Sequence, residues 1–176
     1  MTYCESGFWR ADVSRYPKRG WLNQPALWAI GVYRFGRWSK AAPPGIRALS
    51  HGVYFVFYSI VRLATGVDIP RSAQIGPGLM IHHYGGIIVS PLAIIGSNCT
   101  MRQGVTIGSK IDGGAVPVLG DGVALGAYAQ VLGDVRVGSC AVVGAMAVVL
   151  ADVPEGGVAV GIPARVVRVQ SEEREI

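Results

Sequence analysis

Charged side chains are scarce in this 176-residue chain: they make up 15% of it, against 51% for apolar residues. A composition so poor in charge argues against disorder and implies a genuine buried core. Cysteine is equally sparse. Cys4, Cys99 and Cys140 are odd in number and scattered, with no CxxC pair. That argues against a disulfide framework or a cysteine-built zinc module and fits a reducing, cytoplasmic compartment. No run of about 18 clean apolar residues occurs, so no membrane span is expected. The first residues also lack the order of a signal peptide, and nothing points to a nucleic-acid partner.

Glycine is the residue in excess, with 25 copies and no collagen-like period of three, which implies many regular tight turns. The charge is unevenly placed. Residues 1–65 carry nine Lys/Arg against two acidic residues, whereas the remainder carries seven against nine. All four tryptophans, Trp9, Trp21, Trp28 and Trp38, also fall in the first segment.

From residue 119 a period of six is unbroken: Leu119, Leu125, Val131, Val137, Val143 and Val149 each open a unit. The fifth position of each unit is small and apolar: Val123, Ala129, Val135, Ala141, Ala147 and Val153. The pattern runs upstream through Ile69, Ile75, Ile81, Ile95, Met101 and Ile107, with a slip of two residues placed between Ile87 and Ile95. Between Ile107 and Leu119 the phase holds, but the stretch SKIDGGAVPV lacks the small apolar position, which predicts a protruding loop. A six-residue period suits short strands joined by turns, three to a coil, with the aliphatic column stacked inside. The expected fold is therefore mainly β, a left-handed parallel β-helix over residues 66–168. A helical segment over 1–65 precedes it, and a tail at 169–176 follows.

In the first segment, Asn23 and Pro25 read as the start of a helix reaching about Lys40, and Pro43-Pro44 breaks the chain. A second helix is expected from Ile46 to Ala64, with Gly66 just past its end. Ile46, Leu49, Val53, Val56, Ile60 and Leu63 form one face, which is expected to pack against the solenoid.

Of the three histidines, His82 and His83 are adjacent within a repeat unit and His51 lies in the helical segment. A zinc site like that of the γ-class carbonic anhydrases needs three convergent histidines. Neighbours in a strand point to opposite faces, so no metal is expected. General-base work fits better, because imidazole titrates near neutrality and a hydroxyl attacking a thioester must lose a proton. Asp68, fifteen residues before His83 and about one coil away, is the candidate to hold the other ring nitrogen.

The stretches Val67-Asp68-Ile69-Pro70, Ile75 to His83, Gly104 to Gly108 and Gly161-Ile162-Pro163-Ala164-Arg165 resemble the serine O-acetyltransferase branch of the hexapeptide-repeat transferases. The resemblance covers about residues 66–168. It implies a homotrimer binding acetyl-coenzyme A between neighbouring β-helices, with pairing of two trimers left open. It places His83 and Asp68 on the catalytic pair and Gly108, Ser109, Ala127, Ala145 and Arg165 on coenzyme-binding positions. The chain also departs from that branch. His82 stands where the branch has an aspartate, and Ala115 and Val116 stand where it has Arg-His. Loss of those charges leads to the expectation of a saccharide acceptor, contacted by His82 and Tyr84, as in exopolysaccharide acetyltransferases of the colanic-acid type. Serine O-acetylation is the alternative. The basic, aromatic-rich front end is read as a surface for the inner face of an anionic membrane.

Overall fold

The computed structural model describes residues 5–17 and 23–169. Cys4, Trp21 and all of the expected tail except Val169 lie outside the described residues.

Three helices come first: α1 (Glu5–Ser14), α2 (Pro25–Ala41) and α3 (Pro44–Thr65). The N-cap of α2 is Gln24 rather than the expected Asn23, and it makes no side-chain cap bond. Gly66 closes α3 as expected: at φ 64° it adopts the left-handed conformation, and its N–H bonds the Arg62 carbonyl at 2.9 Å.

The rest is a parallel β-solenoid with three faces. One face stacks β1 (Val67–Asp68), β4 (Ile87–Val89), β7 (Thr106–Gly108), β10 (Gln130–Leu132) and β13 (Val148–Val149). The second stacks β2 (Gln74–Ile75), β5 (Ile94–Ile95), β8 (Val118–Leu119) and β11 (Arg136–Val137). The third stacks β3 (Met80–His82), β6 (Thr100–Arg102), β9 (Ala124–Leu125), β12 (Val142–Val143) and β14 (Gly157–Val160), with β15 (Arg165–Val169) antiparallel at its end. This is the left-handed β-helix that the period of six implies. The repeat aliphatics Ile75, Ile95, Leu119 and Val137 line one buried column, and the small fifth-position residues are fully buried beside them.

The two irregularities in the repeat are resolved by the strand register. Val67 pairs with Ile87, so Ile69 lies level with Val89 and the aliphatic column passes from Ile81 to Val89. The two extra residues therefore belong to the corner His83–Gly86, not to the stretch after Ile87. The segment 109–117 is the expected loop, leaving the first face after β7 and returning at β8.

The helical segment does something the composition did not disclose. The first coil of a solenoid has an open edge of unpaired backbone groups, and side chains of α1 and α2 and of the turn after α1 meet them. Asp12 accepts from the Leu79 N–H at 2.8 Å, Tyr33 from Ile75 at 3.1 Å and Tyr16 from Ile81 at 2.8 Å. Arg34 donates to the carbonyls of Ile75 and Gly76, and Arg15 to that of Gly78 and, on the second coil, to those of Asn98 and Cys99. Asp12 and Arg34 also form a buried ion pair at 2.8 Å. Part of the basic charge assigned to a membrane surface is thus a backbone cap for the β-helix.

The expected packing of α3 is reversed. Its buried residues are Ser50, Tyr54 and Thr65. The aliphatic face from Ile46 to Leu63 points away from the chain, with Leu49 73% and Leu63 83% exposed. Gly36 of α2 explains the choice. The Tyr54 ring lies against it, and a Cβ there would come within 2.8 Å of Arg71 Cβ, so the bare backbone admits the aromatic face of α3 instead of the aliphatic one. No described helix is long and apolar enough to cross a membrane.

Candidate functional site

The corner between the third and first faces is where the two extra residues emerge. His83 sits there at φ 58°, in the left-handed region that disfavours a side chain by about 1–2 kcal/mol. Its ring is exposed and makes no hydrogen bond among the described residues. Tyr84 beside it is 49% exposed. The Gly85-Gly86 backbone packs on Gly66, where a Cβ would lie 3.1 Å from the Gly86 nitrogen. This close approach brings the corner next to the start of β1, which carries Asp68.

Asp68 is held from α3, a connection absent from the sequence reading. The Tyr58 hydroxyl donates to Asp68 Oδ1, and Arg62 Nη1 approaches Oδ2 at 3.3 Å. Burial, and next the bond to this carboxylate, push the Tyr58 phenol well above its ordinary pKa. Tyr58 and Arg62 are one helical turn apart, so both reach the same carboxylate. That i, i+4 spacing just ahead of Asp68 was the available signal. No hydrogen bond joins Asp68 to His83 within the single chain.

His82, on β3, is in register with Arg102 on β6. Its imidazole pKa is lowered, by burial first and then by the charges of Arg102, His83 and Arg15. Arg102 makes no hydrogen bond among the described residues. The corner therefore sets the Arg102 guanidinium beside an imidazole whose charged form is disfavoured.

The positions expected to bind coenzyme fall into separate groups. Strand register carries the His83 corner upward through Gln103 to Ala127 and Ala145, coil on coil. The two alanines lie beside the exposed Tyr128 and Met146, whose backbones also adopt positive φ. Gly108 and Ser109 sit at the other edge of the first face, where the 109–117 loop begins. Arg165 begins β15 and lines a small cavity of about 170 Å³ with Asp152 and Ala164. Ala115 and Val116 lie in the loop. Among the described residues there is no group of three or more His, Cys, Asp or Glu able to hold a metal.

Comparison with known proteins agrees with this architecture. Residues 117–151 match the family model described as bacterial transferase hexapeptide (six repeats). The serine acetyltransferase of Synechococcus elongatus is 38% identical over 150 residues, covering 83% of this chain and 58% of the relative. Soybean serine acetyltransferase in complex with serine superposes with a TM-score of 0.77 at 34% identity, covering 93% of this chain and 68% of that one. A serine acetyltransferase in complex with CoA gives 0.72 at 33% identity, with coverage of 93% and 68%. The chain belongs to the serine acetyltransferase family of hexapeptide-repeat transferases.

The chain spans little more than half the length of the Synechococcus serine acetyltransferase. The saccharide acceptor, and the likeness to exopolysaccharide acetyltransferases behind it, are overturned by these findings: the relatives over most of the chain are serine acetyltransferases at 36–38% identity. The expectation rested on His82 standing in place of an aspartate and on treating Ala115 and Val116 as replacements for two further charged residues. His82 lies in β3 with a fixed register, but Ala115 and Val116 lie in an irregular loop, where no strand register fixes which residue corresponds to which.

Proposed function

We propose that this serine acetyltransferase family member transfers the acetyl group of acetyl-coenzyme A to the hydroxyl of serine or a closely related amino acid. The observation that carries the reading is the exposed, unbonded His83 ring at a strained corner, in a chain whose relatives are serine acetyltransferases.

His83 takes the hydroxyl proton as the oxygen attacks the thioester carbonyl. A C–O bond forms, the C–S bond breaks, and the imidazolium returns the proton to the departing thiolate. Asp68, anchored by Tyr58 and Arg62, orients the ring through a lone pair that those donors leave free. Arg102 offers a guanidinium for the acceptor's carboxylate, one coil from the histidine pair. Ala127 and Ala145 give small surfaces along which the coenzyme arm can lie above His83. Gly108 and Ser109 occupy the opposite edge of the same face, so two copies of the chain are needed to bring both groups to one coenzyme. This supports the homotrimer. Release of free thiol from acetyl-coenzyme A, measured with serine, homoserine and threonine, tests the reading. Saturable stimulation by serine is expected, and thiol release indifferent to all three would refute it.

A further inference from the structure

α3 leaves its aliphatic face in solvent and turns toward the chain the stripe Tyr54, Tyr58 and Arg62, spaced four residues apart. Burial of apolar area alone favours the opposite choice. Gly36 makes room for this aromatic face, and the stripe then leads, contact by contact, to Asp68. The Tyr54 ring packs on Gly36 and lies under the Arg71 guanidinium, 4.8 Å from the ring centroid. Its hydroxyl accepts the Arg71 N–H at 3.2 Å, and Arg71 is tied in turn to the Ser39 hydroxyl of α2 at 3.0 Å. Tyr58 stacks on Tyr54, with centroids 5.4 Å apart and an interplanar angle of 21°. The Tyr58 hydroxyl donates to Asp68 Oδ1.

Asp68 needs such a hold from outside the solenoid. β1 is the terminal strand of the first face, two residues long, and pairs only with β4. The residue in register with Asp68 is Ile88, which is apolar and offers the carboxylate no donor. The terminal torsion of an aspartate is broad, so nothing in β1 itself decides which lone pair faces His83. The two donors that do reach the carboxylate are unequal. Arg62 approaches at 3.3 Å and is half exposed, where screening leaves an ion pair weak. Tyr58 is half-buried, and burial first, then its bond to the carboxylate, raise the phenol pKa, so it remains a donor.

We propose that Tyr58 is a positioning residue for acetyl transfer: its hydroxyl sets the rotation of the Asp68 carboxylate, and the Gly36–Tyr54–Tyr58 stack fixes the hydroxyl. The inference rests on the reading above in which Asp68 orients His83. Tyr58 touches neither substrate nor reacting atoms and moves no proton; it acts only through the carboxylate. The aromatic side of α3 faces inward because the site uses it, and the aliphatic side is left in solvent as a consequence. Arg62 adds charge to the same carboxylate without fixing its rotation.

The test is a double-mutant cycle of Tyr58→Phe with Asp68→Asn on the full chain, read as serine-dependent thiol release at matched folded fraction. Phenylalanine keeps the ring on Tyr54 and removes only the hydroxyl. Tyr58→Phe alone should lower kcat by about 10–100-fold, the range seen when the outer partner of a metal ligand is removed. KM for serine and for acetyl-coenzyme A should stay at the parental value, since no ground-state contact to either is lost. In the Asp68→Asn background the same change should alter kcat by less than about two-fold, because the carboxylate it positions is gone. Arg62→Met should cost less than Tyr58→Phe, and a larger loss would overturn the assignment to Tyr58. Parental kcat in Tyr58→Phe beside an impaired Asp68→Asn would overturn the proposal and leave the catalytic pair standing. So would an equal loss in both backgrounds, which would make Tyr58 a packing residue. Parental kcat in Asp68→Asn itself would overturn the pair, and this proposal with it.

Discussion

Replacing Asp68 with asparagine separates two roles for this carboxylate. As a strut between α3 and β1, it contributes little. The Arg62 contact is 51% exposed on the arginine side and 32% on the aspartate side, and exposed pairs of this kind are worth about 0–1 kcal/mol. The Tyr58 hydroxyl can still donate to the asparagine oxygen, so only the charge-assisted part of that bond is lost, of order 1 kcal/mol. The combined cost is about 1–2 kcal/mol, and a melting point lower by roughly 2–8 °C is expected for a chain of this size. Such a loss leaves a domain stable by about 5–15 kcal/mol almost wholly folded at 25 °C. In the proposed role of orienting His83, by contrast, Asp68 would govern turnover, and its amide counterpart should depress kcat by about 10²–10⁴-fold. Thermal denaturation and thiol release on the same preparation give both numbers. A variant that melts a few degrees lower yet retains more than half of wild-type kcat would refute the orienting role and leave Asp68 a strut for α3.

Three further outcomes follow from the geometry. Gly36→Ala should cost about 1–3 kcal/mol in chemical denaturation, because the new methyl collides with the Tyr54 ring and Arg71 and must push α3 outward. Asp12→Ala leaves the Arg34 guanidinium buried without its counter-charge and the Leu79 N–H without an acceptor, so a loss of about 3–5 kcal/mol is expected by the same assay. The folded-state pKa of His82 lies below its ordinary 6.5, so as pH falls the unfolded chain takes up that proton first. Its contribution to stability is then present above pH 6.5 and lost as pH drops through the lower folded value. Melting points measured from pH 7.5 downward should fall less steeply for His82→Asn than for the parent chain.

What the sequence disclosed was set by which forces act locally. The period of six is written by residues that all meet the same buried column, so Leu119 to Val149 revealed both fold and register. The slip near Ile87 was visible but misplaced, because Ile87 and Val89 are both apolar and both buried. Only the pairing of Val67 with Ile87 shows that the extra residues belong to the histidine corner. The face of α3 was read correctly as a stripe and wrongly as a core contact. Periodicity shows that a helix has an apolar side but not what that side meets, and here Gly36 draws the Tyr54 side inward. The capping of the first coil by Asp12, Tyr16, Tyr33 and Arg34 spans more than forty residues of sequence and leaves no local pattern. The Tyr58–Asp68 contact joins a helix to a strand across a turn, a junction that neither period describes.

The central claim is that His83 is the base for acetyl transfer to an amino-acid hydroxyl. It is tested most directly by serine-dependent thiol release from acetyl-coenzyme A, comparing His83→Ala with the parent chain at matched folded fraction. A fall of about 10²–10⁴-fold in kcat, with little change in melting point, is the predicted result. Serine-dependent turnover within a few-fold of the parent chain would contradict it.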